Sequence, residues 1–267
     1  MHVTLTKHHG LGNDFLVYDR AQGEQPNWPQ LAQRWCERST GIGADGLLLL
    51  GIGSNSTLTM RLYNADGSIA EMSGNGIRCL VQAAHHALQG NAGTVYTVET
   101  DAGSREAVVT SAWDNDTIHI SVDMGYVEDV ETPDQWELLQ CDPMRPVRHV
   151  SLGNPHSVVG VEEVGPVDLV QLGSLVPHVN LEIIEPGPET NAITMRVHER
   201  GAGITRACGT GACAAADAAL AWGLVPRSVE HVVVHMDGGD ARVVITDDRR
   251  ATLIGPAVFI GSVSVHA

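Results

Sequence analysis

Lysine is almost missing from this 267-residue chain; Lys7 is the only one. Enzymes that bind pyridoxal phosphate need a lysine for the Schiff base, so that chemistry would have to run through Lys7 and is not expected. Long apolar runs are missing too. None approaches the roughly 20 residues that cross a bilayer, and the opening Met1-His-Val-Thr-Leu-Thr-Lys7-His-His lacks a signal peptide's apolar stretch. A cytoplasmic location is the expectation. Basic charge is scarce: 16 Lys and Arg stand against 32 Asp and Glu, a net charge of −16. Such a field repels phosphate backbones and anionic lipid, so neither nucleic acid nor a membrane is an expected partner. The five cysteines, Cys36, Cys79, Cys141, Cys208 and Cys213, are odd in number and include no Cys-x-x-Cys pair, which points to free thiols. What is abundant is apolar composition, 43%. That fills one large domain or two ordinary ones at roughly 100 to 200 residues each.

The chain repeats itself over a long period. Leu11-Gly-Asn13-Asp-Phe-Leu-Val-Tyr returns as Leu152-Gly-Asn154-Pro-His-Ser-Val-Val. The segment from Asn64 through Ser73-Gly-Asn-Gly76-Ile aligns with the one from Glu199 through Cys208-Gly-Thr-Gly211-Ala. Val95 to Gly103 then matches Val232 to Gly239, and an alternating run follows each. Four landmarks in one order imply two homologous halves, 1–115 and 116–255, with 256–267 returning to the first as an added strand. Ile77, Leu80, Val81, Ala84 and Leu88 form a helical stripe, and Ala212, Ala215, Ala216, Ala219 and Leu220 repeat it with smaller side chains. Thr57 to Tyr63 and Thr117 to Asp123 alternate as strands do. The expected fold is α/β, more strictly α+β. Its two pseudo-symmetric halves are each a mixed, mostly antiparallel sheet or barrel around a central helix, with an active site in the cleft between them.

Ser73 and Cys208 are the repeat-related pair that carries chemistry. Each stands just before a Gly-x-Gly that opens a helix, where backbone N–H groups lack intrahelical partners and the dipole end is positive. Such an end binds a carboxylate and should draw a cysteine pKa down from about 8.5. A single Gly-x-Gly before a helix is an ordinary turn, and Gly74-Asn-Gly76 lacks the third glycine of a dinucleotide fingerprint; the doubling is what gives it weight. Two such ends facing one cleft suit removal of a proton from a carbon next to a carboxylate on one face and its replacement on the other.

Lys7-His-His-Gly10-Leu-Gly-Asn13-Asp-Phe, Thr40-Gly-Ile-Gly-Ala-Asp-Gly46, Tyr63-Asn64-Ala-Asp-Gly-Ser, Gly153-Asn154-Pro-His156, Glu199-Arg200-Gly-Ala-Gly and Ala207-Cys208-Gly-Thr-Gly-Ala resemble diaminopimelate epimerases over essentially the whole chain. These are isomerases that convert LL- to meso-diaminopimelate without a cofactor, in the route to lysine and peptidoglycan precursors. The resemblance implies a small amino-acid substrate and no cofactor, and leaves a homodimer open. It makes Cys208 one catalytic thiol and puts Ser73 where the family carries the other. Gly74, Asn75, Gly209 and Thr210 would hold the reacting α-carboxylate. Asn13, Asn64, Asn154, Asn180, Glu199 and Arg200 would fix the amino acid and its distal end, where arginine offers a bidentate fork. His156 and Glu199 would help deprotonate the thiol.

Plainer roles compete. Asn13 and Asn154 suit turn caps, His156 a hydrogen-bonded imidazole, and Glu199–Arg200 a solvated charge pair. Cys36, Cys79, Cys141 and Cys213 read as packing residues. The doublets His8-His9 and His85-His86 lack further ligands at recognisable spacing, so no metal is expected. Two departures from the family stand out. Gly46 replaces a more polar residue that some relatives carry. Ser73 is a far weaker acid than a thiol and a poor proton-transfer partner at neutral pH. Either it is an introduced replacement that silences turnover, or it acts slowly or through water, or the chain is a lyase that dehydrates a hydroxylated amino acid, as related proline-racemase-like enzymes do. A non-catalytic amino-acid-binding protein is the remaining alternative.

Overall fold

In the computed structural model, which describes residues 2–111 and 113–266, the chain runs β1 (His2–Gly10), β2 (Asn13–Asp19), α1 (Trp28–Cys36), β3 (Gly46–Ile52), β4 (Thr57–Asn64), β5 (Ile69–Ala70), α2 (Gly74–Ala87), β6 (Val95–Thr100), β7 (Gly103–Val109) and β8 (Thr117–Tyr126). It continues as β9 (Glu128–Asp129), β10 (Val147–Ser151), β11 (Pro155–Gly160), α3 (Leu169–Leu175), β12 (Asn180–Pro186), β13 (Ala192–Glu199), β14 (Gly203–Thr205), α4 (Gly209–Trp222), β15 (Val232–Met236), β16 (Gly239–Ile245) and β17 (Arg250–His266). There are two compact units. One runs to Val122 and resumes at Gly255; the other is Asp123–Ile254. Both boundaries fall inside a strand, β8 and β17.

Within the first unit, β1 pairs antiparallel with β17 and β2, β2 parallel with β3, β3 antiparallel with β4, β4 parallel with β6, and β6, β7 and β8 antiparallel in turn. The β8–β17 pairing closes the ring. Helix α2 touches β1, β2, β3, β4 and β7, so it lies inside. Its stripe reads as expected for Ile77, Leu80, Val81 and Ala84, all fully buried, but not for Leu88. The helix ends at Ala87, and Leu88 is its C-cap, exposed at 47%.

The second unit repeats the succession. β9 and β10 pair antiparallel, as do β10 and β11; β11 and β12 are parallel, β12 and β13 antiparallel, β13 and β15 parallel, and β15, β16 and β17 antiparallel. Helix α4 touches six of these strands and is buried from Gly209 to Ala219. Its alanines let a helix fill a ring that larger side chains would overpack, at about 1–3 kcal/mol each. The expected architecture, a mixed sheet wrapped around a central helix and repeated, is the one found.

In each unit the first parallel connection, β2 to β3 or β11 to β12, carries a helix on the outside of its ring, and the second, β4 to β6 or β13 to β15, carries the inner helix. α1 buries Leu31, Ala32, Trp35 and Cys36 against Leu16, Tyr18, Leu47 and Leu49. α3 belongs to a cluster with Val159, Val179, Leu181 and Ile183. With a helix on either side, β3 reads Leu47-Leu-Leu-Leu50, buried throughout, as strands covered on both faces do.

Candidate active site

In each unit the N-terminus of the inner helix sits by the start of a strand that an asparagine introduces. Ser73 is the N-cap of α2, with extended φ and ψ of −146° and 122°, and its Oγ accepts the Gly76 N–H at 3.1 Å. That is ordinary serine capping. Asn75, in the first turn, donates to Asn13 Oδ1 at 3.1 Å, and Asn13 donates to Asp45 Oδ2 at 2.7 Å. Arg78 is fully buried and donates to Asn75 Oδ1 at 2.6 Å. Arg38 bridges Asp14 and Asp45, each at 2.7 Å, and Lys7 pairs with Asp14 at 2.9 Å while donating to Gly43 O. Burial opposes ionisation of Asp14, but the hydrogen bonds and charges of Arg38 and Lys7 outweigh it and hold the carboxyl below its ordinary range. The single lysine is thus engaged in an ion pair. Asn64 stands apart from this network: it is exposed, and its side chain donates to Ser68 Oγ at 3.0 Å.

In the second unit Cys208 caps α4, with φ and ψ of −123° and 117°. Its Sγ accepts the Gly211 N–H at 3.4 Å and lies 3.5 Å from Thr210 Oγ1. Asn154 donates to Thr210 Oγ1 at 3.3 Å, and its Oδ1 lies 3.1 Å from His156 Nε2. His156 Nδ1 lies 2.6 Å from Glu182 Oε1, with both side chains fully buried. Both imidazole nitrogens are therefore engaged, with Asn154 and Glu182. Asn180 donates to Pro155 O at 3.0 Å and accepts the Arg200 N–H at 2.9 Å. Glu199 accepts a hydrogen bond from Thr205, and Arg200 is exposed.

The thiol does not follow the expectation of a lowered pKa. Burial pushes Cys208 well above the ordinary thiol range, and the Glu199 and Glu182 carboxylates add to the shift; the hydrogen bonds from Thr210 and Gly211 pull the other way without prevailing. Cys208 is only 5% exposed, and loss of hydration outweighs a helix end. A Cβ built on Gly211 would stand 2.7 Å from Glu182 Oε1 and 3.3 Å from Cys208 Sγ. The second glycine of Gly209-Thr-Gly211 thus makes room for a carboxylate of the protein itself. Residues of these networks that went unread in the sequence include Arg38, Asp45, Thr205, Arg78 and Glu182. The signal available for the last two was a charge set in an apolar helix face and in an apolar strand.

A family model for diaminopimelate epimerase matches residues 5–130 and 148–260. The chain belongs to the diaminopimelate epimerase family. A diaminopimelate epimerase of Synechococcus elongatus is 38% identical over the full length of both chains. One of Desulfitobacterium hafniense is 38% identical over 97% of this chain and 96% of its own. The protein is an isomerase of the diaminopimelate epimerase type. Among solved structures, a phenazine biosynthesis protein of the PhzF family from Bacillus anthracis superposes with a TM-score of 0.78 at 15% identity over the whole of both chains. A hydroxyproline epimerase from Agrobacterium vitis does so at 0.67 and 17%, covering 99% of this chain and 91% of its own. At those identities the likeness is one of fold.

Proposed function

We propose that the chain inverts the α-carbon of LL-diaminopimelate to the meso form by proton transfer without a cofactor, supplying lysine and peptidoglycan-precursor synthesis, and that Ser73 impairs it. The observation that carries this reading is Cys208 at the N-cap of an inner helix, its sulfur accepting the first-turn Gly211 N–H. There Gly209 and Thr210 would receive an α-carboxylate, and the oriented N–H groups would stabilise the charge that grows on it as the α-proton leaves. An ammonium pairing with Glu199 would offset the carboxylate charge that now disfavours the thiolate. Cys208 would then break the C–H bond on one face of the α-carbon, taking the proton onto sulfur. Residue 73, with Gly74 and Asn75 beside it, would deliver a proton to the opposite face. Asn13, Asn64, Asn154, Asn180 and Arg200 would hold the rest of the molecule, and His156 would assist through its hydrogen bonds.

A serine hydroxyl neither gives up nor regains a proton at neutral pH as a thiol does. The chain as it stands should therefore exchange the α-hydrogen of one epimer with solvent faster than it converts LL to meso. Ser73→Cys should raise LL-to-meso conversion by about 10²-fold or more, the usual worth of a positioned acid or base. The measurement is deuterium incorporation from heavy water beside epimer composition, in both chains. No gain in Ser73→Cys would defeat the two-thiol reading. Release of ammonia or a keto acid from a hydroxylated amino acid would instead identify a lyase. Tight binding of diaminopimelate with no α-exchange even after the thiol is restored would identify a binding protein.

A further inference from the structure

The buried His156–Glu182 pair has an internal control in the other unit. His156 pairs with Asn180 across β11 and β12, and Phe15 pairs with Gly46 across β2 and β3. Two residues further along stand Glu182 and Leu48. The positions that hold a histidine and a glutamate in one unit therefore hold Phe15 and Leu48 in the other, 4% and 0% exposed. Leu48 packs against the second glycine after Ser73, its Cδ2 lying 3.5 Å from a Cβ built on Gly76; Glu182 stands against Gly211, the second glycine after Cys208, in the same way. This fold accepts two apolar side chains there. The ionisable pair is not needed to build the ring, and it sits behind the one thiol.

Hydrogen-bond bookkeeping then sets the protonation state. Asn154 gives its amide N–H to Thr210, so its Oδ1 faces His156 Nε2, and a carbonyl oxygen only accepts. Nε2 must carry a proton. One more proton lies between Nδ1 and Glu182 Oε1. Glu182 Oε2 is buried without a hydrogen-bond partner, which is costly for a carboxylate and cheaper for a carboxylic acid. Among the ionisable groups on the surrounding elements, Glu199 on β13 disfavours a second negative charge here and His156 on β11 favours one, while Cys208 on α4 is itself held as a neutral thiol. Burial is the largest influence and pushes the Glu182 carboxyl up.

We propose that Glu182 works as a neutral carboxylic acid: its O–H donates to His156 Nδ1, fixes the Nε2–H tautomer, and so holds Asn154 and Thr210 in line against Cys208. It is a positioning residue for the thiol, and the idea rests on the reading of Cys208 as a proton-transfer group. The first test needs no substrate. In the ligand-free chain near neutral pH, ¹⁵N NMR of His156 should show Nε2 protonated and Nδ1 an unprotonated acceptor. Glu182→Gln should show the same pattern, because an amide N–H donates as the acid does, and Glu182→Leu should show mixed tautomers. Leucine is what the equivalent position carries, so the ring should still form.

The second test measures α-hydrogen exchange on a Ser73→Cys background. Glu182→Leu should lower kcat at least about tenfold, the scale of one lost hydrogen bond, with KM little changed, and Glu182→Gln should recover most of that loss. Two protonated ring nitrogens in the unsubstituted chain, or a leucine variant that keeps both tautomer and rate, would overturn the proposal. If no variant turns over diaminopimelate while the NMR pattern holds, it is the substrate reading that fails and not the role of Glu182.

Discussion

A cysteine's neighbours decide its chemistry more than its place in a sequence motif. Burial pushes Cys36 and Cys79 up to about 12, and it raises Cys208 as well, despite the helix end beneath it. Cys141 is the one of the five thiols not fully buried. With iodoacetamide near pH 7, peptide mapping should find Cys141 labelled first and Cys208 lagging, since only the thiolate reacts and access is needed. Faster labelling of Cys208 would mean that the helix-end field outweighs lost hydration in the resting protein. The repeat made Ser73 and Cys208 legible as a pair. Glu182 was not legible, because an acid between Leu181 and Ile183 reads as one irregular position in a strand until His156 is seen against it.

At the scale of the element, the two inner helices share their length, 14 residues each, and their capping geometry, but not the reason for their second glycine. At Gly211 a methyl group would collide with Glu182 Oε1 at 2.7 Å; at Gly76 it would meet Ser73 Cβ at 3.2 Å and Leu48 Cδ2 at 3.5 Å, contacts that can relax. Alanine is the better helix former by about 1 kcal/mol, which works against either clash. Gly211→Ala should therefore lose about 1–2 kcal/mol net, and Gly76→Ala should be near neutral. Urea unfolding of the two variants checks this, and equal losses would count against the carboxylate as the cause. Helix periodicity located both elements because each sets apolar side chains at i, i+3, i+4 and i+7 against the surrounding strands. It failed at Leu88, since periodicity does not see where the surrounding ring ends.

For the whole molecule, the histidine buried in the first unit predicts a pH dependence. His8 on β1 lies 2.8 Å from Gln82 Oε1 on α2, and Gln82 donates to Asp116 O and Ala257 O, so one side-chain chain ties strand, helix and ring closure together. Burial lowers the His8 pKa from 6.5 to about 4, with His86 and His9 adding to the fall. A base whose folded pKa is depressed is taken up by protons first in the unfolded chain. Its contribution is thus complete above about 6.5 and is lost as pH falls toward 4, in all about 3 kcal/mol. Urea midpoints measured from pH 7 to 4 should fall, and His8→Asn, which keeps a donor toward Gln82, should flatten that slope. An unchanged slope would assign the acid sensitivity elsewhere.

What the amino-acid sequence determined alone is whatever repeats or alternates: two pseudo-symmetric halves, a helix in each, the strand runs Thr57 to Tyr63 and Thr117 to Asp123, which fall within Thr57–Asn64 and Thr117–Tyr126, and the matched positions 73 and 208. Periodicity and self-similarity are properties of the chain, so no contact is needed to see them. The outer helices α1 and α3, the division of the chain inside β8 and β17, and the partnership of His156 with Glu182 were decided only in three dimensions. Each depends on residues far apart in sequence being buried together, and it is burial that makes an acid keep its proton and a thiol resist losing one.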